Sequence, residues 1–453
     1  MADCNTHKVF NKESGELEGY IFTSDNNFLY GKIIFENGEI IDVDYFSPNS
    51  ALPAVLPYDD ARRAILGERI AAPVILPGLV DVHLHGANGF DICDATSDSI
   101  AGICEYERKS GIAAFIGATM TLPKEKLEEV CRAVAEVSLG TDPGMPEVSL
   151  GTDLGMPLGT DSCKKRDPLG TDPNGKGRFA GFEGLFLEGP FVSKNKCGAQ
   201  NPEYAILPDA DLVQNLNGLS GGMVRKVLVA PELVGAEEFV RQLKDTGDRS
   251  TESKLMSTEI KITLGHTDCD YESAMKLIAV GADQITHTYN AMPAFDKRNP
   301  GLIGAALDGN CYTELISDGI HVHESVIRAT FNMVPEDKIV LISDSTMATG
   351  LPDGDATLGG TPVKVVTKNE RIQCCCDSRN CDEAVRRVEL STGTIAGSAT
   401  NLFDCMLHAI KIGVPVSKAI RAATINPARS IGIDDRYGTI DEGKSAFFNV
   451  FFN

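Results

Sequence analysis

The sequence predicts an α/β fold: a TIM-type (β/α)8 barrel with a small β-sandwich domain assembled from both ends of the chain. Three observations lead there. From residue 73 onward, eight short apolar runs alternate with stretches whose apolar residues recur at helical spacing. Strand and helix in alternation call for parallel strands joined by crossover helices. The polar residues that interrupt the pattern stand at the C-terminal ends of the runs, and in a barrel those ends meet at one mouth. In a doubly wound open sheet, the competing arrangement, the ends of the first and eighth strands would lie far apart.

The eight runs are PVILPGLVDVHLH (73–85), IAAFIGAT (112–119), FEGLFLE (182–188), VRKVLVAPE (224–232), IKITLGH (260–266), QITH (284–287), CYTELIS (311–317) and KIVLISD (338–344). Intervening stretches such as DYESAMKLIAVG and HESVIRATFNMV read as helices. Residues 1–72 differ. YIFTSDNNFLYGKIIFENGEIIDVDYF alternates apolar and polar residues around an ENGE turn, as antiparallel strands do. The segment GTIDEGKSAFFNVFF (438–452) has the same character. The expected organisation is a barrel over 73–435, with 1–72 and 436–453 combining into the small domain. Three stretches fall outside the barrel rhythm. Residues 139–178 contain LGTD four times in a Gly/Pro/Asp-rich background and read as a low-complexity insertion. Residues 245–259 read as a second insertion. RIQCCCDSRNCDEAVRRVE (371–389) clusters four cysteines without paired CxxC spacing or a nearby histidine, and reads as an exposed loop.

Composition narrows the function. With 42% hydrophobic residues among 453, the chain can bury a large core and is not a disordered one. A balance of 64 acidic against 42 basic residues gives −22, which disfavours nucleic acid or an anionic membrane as a general partner. A small anionic substrate would then need a local cluster of positive charge. The polar start MADCNTHKVFNKESGELEG has no signal-peptide pattern, and no apolar run approaches a membrane span. The 13 scattered cysteines fit reduced thiols, so the expected location is cytoplasmic.

The candidate site begins at VDVHLHG. On a strand His83 and His85 point to one face while Val82 and Leu84 point to the other. Two imidazoles on one face can grip a metal ion, or they can be hydrogen-bonded histidines at a rim. Six of the eight histidines, His83, His85, His266, His287, His321 and His323, fall in four short segments at run ends. Glu188 and Asp344 close two further runs, where an unpaired carboxylate would be costly to bury. Each carboxylate alone is best explained by a salt bridge. Together at one barrel mouth, these residues fit a divalent-cation site better. Such a site, with a carboxylate to move the proton, suits hydrolysis of an amide or ester.

LPGLVDVHLHG, LEGPF, LGHTD, THTYNAM followed by DKRNPG, SDGIHV, ISDS and GTIAGSATNL together resemble the N-acetylglucosamine-6-phosphate deacetylases of the amidohydrolase superfamily. The resemblance spans residues 73–435 apart from the insertions. HxH alone would mark only the superfamily; HTYNAMPAFDKRNPG with LEGPF is the specific part. It implies hydrolysis of N-acetyl-D-glucosamine 6-phosphate to D-glucosamine 6-phosphate and acetate, in amino-sugar catabolism, by a homodimer. It implies one or two divalent cations per subunit, with zinc, iron, manganese and cobalt all suited to the ligands. Glu188, His266 and His287 match the principal metal ligands, and His83 and His85 match the pair that holds a second ion in some members. Asp344 matches the catalytic acid/base, and His321 the histidine that binds and polarises the acetyl carbonyl. Asn290 and Ala291 match contacts to the sugar phosphate. Arg298 matches a phosphate-binding arginine that reaches in from the neighbouring subunit. Ala199 and Gln200 lie in the loop over the sugar.

Two positions depart from the family. Gln200 stands where histidine is usual; glutamine keeps a donor but carries no charge. Phe447 stands where the pattern K-x-A-D-F has its aspartate. Two other functions compete. A dihydroorotase-like cyclic-amide hydrolase commonly uses a carboxylated lysine at the end of the fourth strand, which VLVAPE lacks. A non-catalytic, metal-stabilised scaffold would lack an acid/base, yet Asp344 is present.

Overall fold

The computed structural model describes residues 7–47, 52–138, 181–245, 259–373 and 380–452. Its centre is a parallel sheet of eight strands: Leu79–Leu84, Ile112–Ala118, Phe182–Leu187, Val224–Val229, Lys261–Leu264, Gln284–Ile285, Tyr312–Ile316 and Ile339–Ile342. Each strand neighbours the next in sequence. Hydrogen bonds just beyond the strand ends close the ring: Asp344 N donates to His83 O at 3.0 Å and His85 N to Ser345 O at 2.7 Å. All eight predicted runs contain a barrel strand, because a parallel strand covered on both faces reads as a continuous apolar run.

Alternate residues of these strands separate into two apolar clusters. Ala114, Ile116, Phe186, Leu228, Ile316, Val340 and Ile342 fill the barrel interior. Phe115, Leu185, Val227, Leu315 and Leu341 pack outward with helix residues such as Ile103, Leu127 and Val213. The helix Ile425–Ile431 adds Ala428 and Ile431 to the interior cluster. The chain that follows pins the third strand: Arg436 Nη1 and Nη2 donate to Glu183 Oε1 and Oε2 at 2.8 and 2.5 Å. Glu183 is buried, whereas the Arg436 side chain is 38% exposed. Removing one partner of a buried pair typically costs roughly 3–5 kcal/mol, and the exposure of Arg436 lowers that to about 2 kcal/mol. Arg436→Ala is therefore expected to lower the denaturant midpoint while leaving the slope of the transition unchanged.

The small domain is one six-stranded sheet, ordered His7–Phe10, Phe448–Phe451, Val74–Pro77, Gly15–Phe22, Phe28–Glu36 and Glu39–Tyr45. The expected sandwich is thus a single sheet that curls back on itself. Ile40 N donates to Lys444 O and Ala446 N to Gly38 O, both at 2.8 Å, so the curl encloses Ile21, Ile33, Phe35, Ile75 and Phe448.

Two readings of the sequence need correction. The run 73–85 is two strands, since Val74–Pro77 joins the small sheet and only Leu79–Leu84 belongs to the barrel. They divide at Gly78, where a Cβ would sit 2.4 Å from Ala113 Cβ and 2.6 Å from Phe447 Cδ1. The divergent Phe447 therefore packs over the junction of the two sheets. The stretch 371–389 is not simply an exposed loop. Thr361–Gln373 and Asn380–Glu389 pair antiparallel, with Gly354–Leu358 as a third strand. Val363, Val365 and Val388 bury one face against Cys93 and Met120, which is why the valines alternate with polar residues. The LGTD stretch 139–178, residues 246–258 of the second insertion and 374–379 lie outside the described residues. Among the described residues, no helix is long and apolar enough to cross a membrane.

Candidate active site

The strand ends place the polar residues at one mouth. His83 lies within the first strand and His85 just after it; Glu188 follows the third, His266 the fifth, His287 the sixth and Asp344 the eighth. His266, His287 and Asp344 have φ of 44°, 27° and 50°. Non-glycine residues seldom adopt this left-handed backbone, and where they do the site is often functional. Here it turns the chain sharply at the strand end.

Two trios result: His83, His85 and Asp344, and Glu188, His266 and His287; in each, the ligand atoms lie within 4.8 Å of one another. All six residues are buried. Glu188 links the trios. Its Oε1 lies 3.0 Å from His287 Nε2, 3.2 Å from His266 Nε2 and 3.4 Å from His83 Nε2. Its Oε2 lies 3.2 Å from His85 Nε2. Asp344 Oδ1 is 3.3 Å from His85 Nε2 and 3.5 Å from His83 Nε2.

The outer nitrogens set the tautomers. His83 Nδ1 donates to Glu314 Oε2 at 3.1 Å, His85 Nδ1 to Ala118 O at 3.2 Å and His266 Nδ1 to Lys196 O at 3.1 Å. In the neutral rings this leaves each Nε2 lone pair facing inward. Glu314 in turn pairs with Lys226, whose Nζ also donates to Val82 O at 3.0 Å and lies 4.0 Å over the Phe186 ring. Both are buried, so this ion pair stiffens the wall behind His83.

These residues fit a divalent cation. Among the described residues, His83 Nε2 and His287 Nδ1 are buried without a hydrogen-bond partner, and His266 Nε2 and His287 Nε2 face each other at 2.9 Å. Two imidazole nitrogens at that distance need a proton or a cation between them. Imidazole and carboxylate together suit zinc and its neighbours. The charges agree. Burial pulls the His83 pKa down, but Glu188, Glu314 and Asp344 outweigh it and push it to about 9. Burial pushes Glu188 up, but His83, His266 and His287 hold it well below the usual carboxylate range. Asp344 is likewise lowered, with His85 and His83 outweighing its burial.

The other expected residues fall as follows. His321 Nδ1 donates to Asp318 Oδ2 at 2.7 Å, while Asp318 Oδ1 accepts from the backbone of Ile320 and His321. Burial lowers the His321 pKa, but Asp318 and Asp344 outweigh it and raise it. His323 does not join the site; it caps the helix Glu324–Met333 by accepting from Ser325 N at 3.1 Å. Asn290 Nδ2 donates to His287 O at 3.1 Å, and Ala291 O accepts from Thr267 N at 3.1 Å, so both brace the loops that follow the fifth and sixth strands. Ala199 packs against the cluster that holds Val388. Gln200 is buried, and both ends of its amide are engaged by protein. Arg298 is exposed, and among the described residues its only hydrogen bond is from its backbone N–H to Asp296 Oδ1. Asp318, Glu314 and Lys226 were not foreseen; the signal for the last two was a charged residue inside an otherwise apolar strand.

A model of the amidohydrolase family matches residues 74–453, and the chain belongs to that family. Within it, the chain is similar to N-acetylglucosamine-6-phosphate deacetylase from Vibrio furnissii, at 30% identity over 92% of this chain and 88% of that protein. It is 28% identical to the Homo sapiens protein of the same name, over 95% of this chain and 90% of that one. It is 27% identical to N-acetylgalactosamine-6-phosphate deacetylase from Escherichia coli O157:H7, over 83% of this chain and 82% of that one. The fold is shared with a solved N-acetyl-D-glucosamine-6-phosphate deacetylase from Mycobacterium smegmatis, with TM-score 0.72 and 24% identity over 97% of this chain and 96% of that one.

Proposed function

We propose that this chain hydrolyses the acetamide of N-acetyl-D-glucosamine 6-phosphate, giving D-glucosamine 6-phosphate and acetate, with one or two divalent cations per subunit. The observation that carries this reading is the convergence of both trios on the Glu188 carboxylate, with Asp344 beside it and the His321–Asp318 pair at the same mouth. Glu188, His266 and His287 would hold one cation, and His83, His85 and Asp344 a second. When bound, the cation supplies a water molecule ionised near neutral pH and charge to offset the developing oxyanion.

The chain's own residues supply the rest. Asp344, favoured as the carboxylate, takes the proton of the attacking water as the new C–O bond forms. It then passes that proton to the amide nitrogen as the C–N bond breaks, so the sugar leaves as the amine and the acyl group as acetate. Asp318 favours the His321 imidazolium, whose Nε2–H can donate to the acetyl carbonyl oxygen. Asn290, Ala291 and the loop carrying Ala199 border the sugar. Arg298 would serve the phosphate of a second subunit in a homodimer, which accords with its exposure here.

The similarity to the Escherichia coli protein keeps the galacto epimer as a second substrate to be tested. A dihydroorotase-like assignment is disfavoured, because Lys226 of the fourth strand is engaged by Glu314 and Val82 O behind His83. Stripping the protein with a chelator is expected to abolish acetate release, and adding zinc, manganese, cobalt or ferrous ion to restore it. Full activity in protein shown by elemental analysis to be metal-free would overturn the reading.

A further inference from the structure

Gln200 occupies a position where the resemblance leads one to expect a substrate contact, yet its side chain is turned to the protein. The residue is 4% exposed. Its Oε1 accepts from Thr121 N at 2.5 Å, and its Nε2 donates to Glu188 Oε2 at 2.8 Å. The amide cannot be flipped without cost. Reversal would set an oxygen against the carboxylate and an NH2 against a backbone N–H.

The two oxygens of Glu188 have different surroundings. Oε1 faces His266, His287 and His83, whereas Oε2 has His85 and Gln200. Gln200 is thus the neutral donor that fixes the carboxylate's rotation and leaves Oε1 toward His266, His287 and His83. The same loop also anchors a second ligand: Ser193 N donates to His266 O at 2.8 Å, and Lys196 O accepts from His266 Nδ1 at 3.1 Å. One short segment therefore orients two of the three residues in the Glu188 trio.

We infer that Gln200 is a positioning residue that sets cation affinity through Glu188, not a donor to the sugar phosphate. The inference rests on the reading that Glu188 holds a cation. Hydrogen bonds to ligating carboxylates and imidazoles are worth roughly 10- to 100-fold in metal affinity.

The test uses Gln200→Met, which keeps the length of the side chain and removes donor and acceptor together. Zinc affinity of the chelator-stripped protein is measured by competition with a chromophoric indicator. KM for N-acetylglucosamine 6-phosphate is measured separately at saturating zinc. The expected result is a zinc Kd raised roughly 10- to 100-fold with KM unchanged. Gln200→His, which restores an N–H donor, should recover part of the affinity. Unchanged zinc affinity in Gln200→Met, or a KM at saturating zinc that rises as much as the zinc Kd, overturns the inference. If Gln200→Met does not fold, Gln200→Asn, which withdraws the amide by one methylene, is judged by the same two measurements. Absence of zinc binding by the stripped parent protein would instead overturn the reading of the cation site itself.

Discussion

Replacing Asp344 with asparagine is expected to lower kcat by on the order of 10²- to 10⁴-fold, the usual contribution of a general acid–base group. The fold and the cation at Glu188, His266 and His287 should survive. The backbone N–H of residue 344 helps close the barrel by donating to His83 O at 3.0 Å, and its carbonyl accepts from Ser398 N at 2.7 Å. Neither bond uses the side chain. Asparagine is nearly the same size but cannot take a proton from water and give it to nitrogen. The check is kcat of the purified variant beside its metal content. Near-normal turnover with metal retained would place the acid/base elsewhere.

Arg298→Ala is expected to weaken the phosphorylated substrate strongly and spare unphosphorylated N-acetylglucosamine. A chain at −22 repels a dianion on average, so recognition falls to a few local donors. A guanidinium can place two parallel hydrogen bonds on phosphate, which a lysine cannot copy. Truncating one partner of such a pair costs roughly 2–5 kcal/mol, about 30- to 5,000-fold in kcat/KM. An equal loss on both sugars would assign Arg298 a structural role. Mixing Arg298→Ala with Asp344→Asn subunits separates the two locations of this arginine. If it serves the neighbouring subunit, each mixed dimer holds one site with both a good arginine and a good aspartate, and activity returns in part. No recovery after demonstrated subunit exchange would place Arg298 in its own subunit's site.

The barrel and the polar residues gathered at its mouth were legible because burial on both faces leaves a strong mark. A continuous apolar run broken by one histidine or carboxylate at its end locates both a strand and the mouth, as at LEG of 187–189 and LGH of 264–266. Partner choice leaves no such mark. Val74–Pro77 and Leu79–Leu84 look alike as apolar segments, and only the clash that a side chain at residue 78 would meet separates them. The role of Gln200 was hidden for the same reason. Glutamine over a sugar and glutamine against a carboxylate read identically, and Thr121 N, which selects between them, lies 79 positions away. In Thr361–Gln373 and Asn380–Glu389 the alternating valines mark strands, a signal weakened by the many polar residues among them.

Removal of an acetyl group from a sugar phosphate is the activity that this mouth is proposed to have. Its most direct test is the acetate and free amine released when zinc-loaded protein meets N-acetyl-D-glucosamine 6-phosphate, with the galacto epimer run in parallel. The expected products are equimolar acetate and D-glucosamine 6-phosphate, lost on chelation and recovered with metal. Metal-loaded, folded protein that releases acetate from neither sugar phosphate would contradict it.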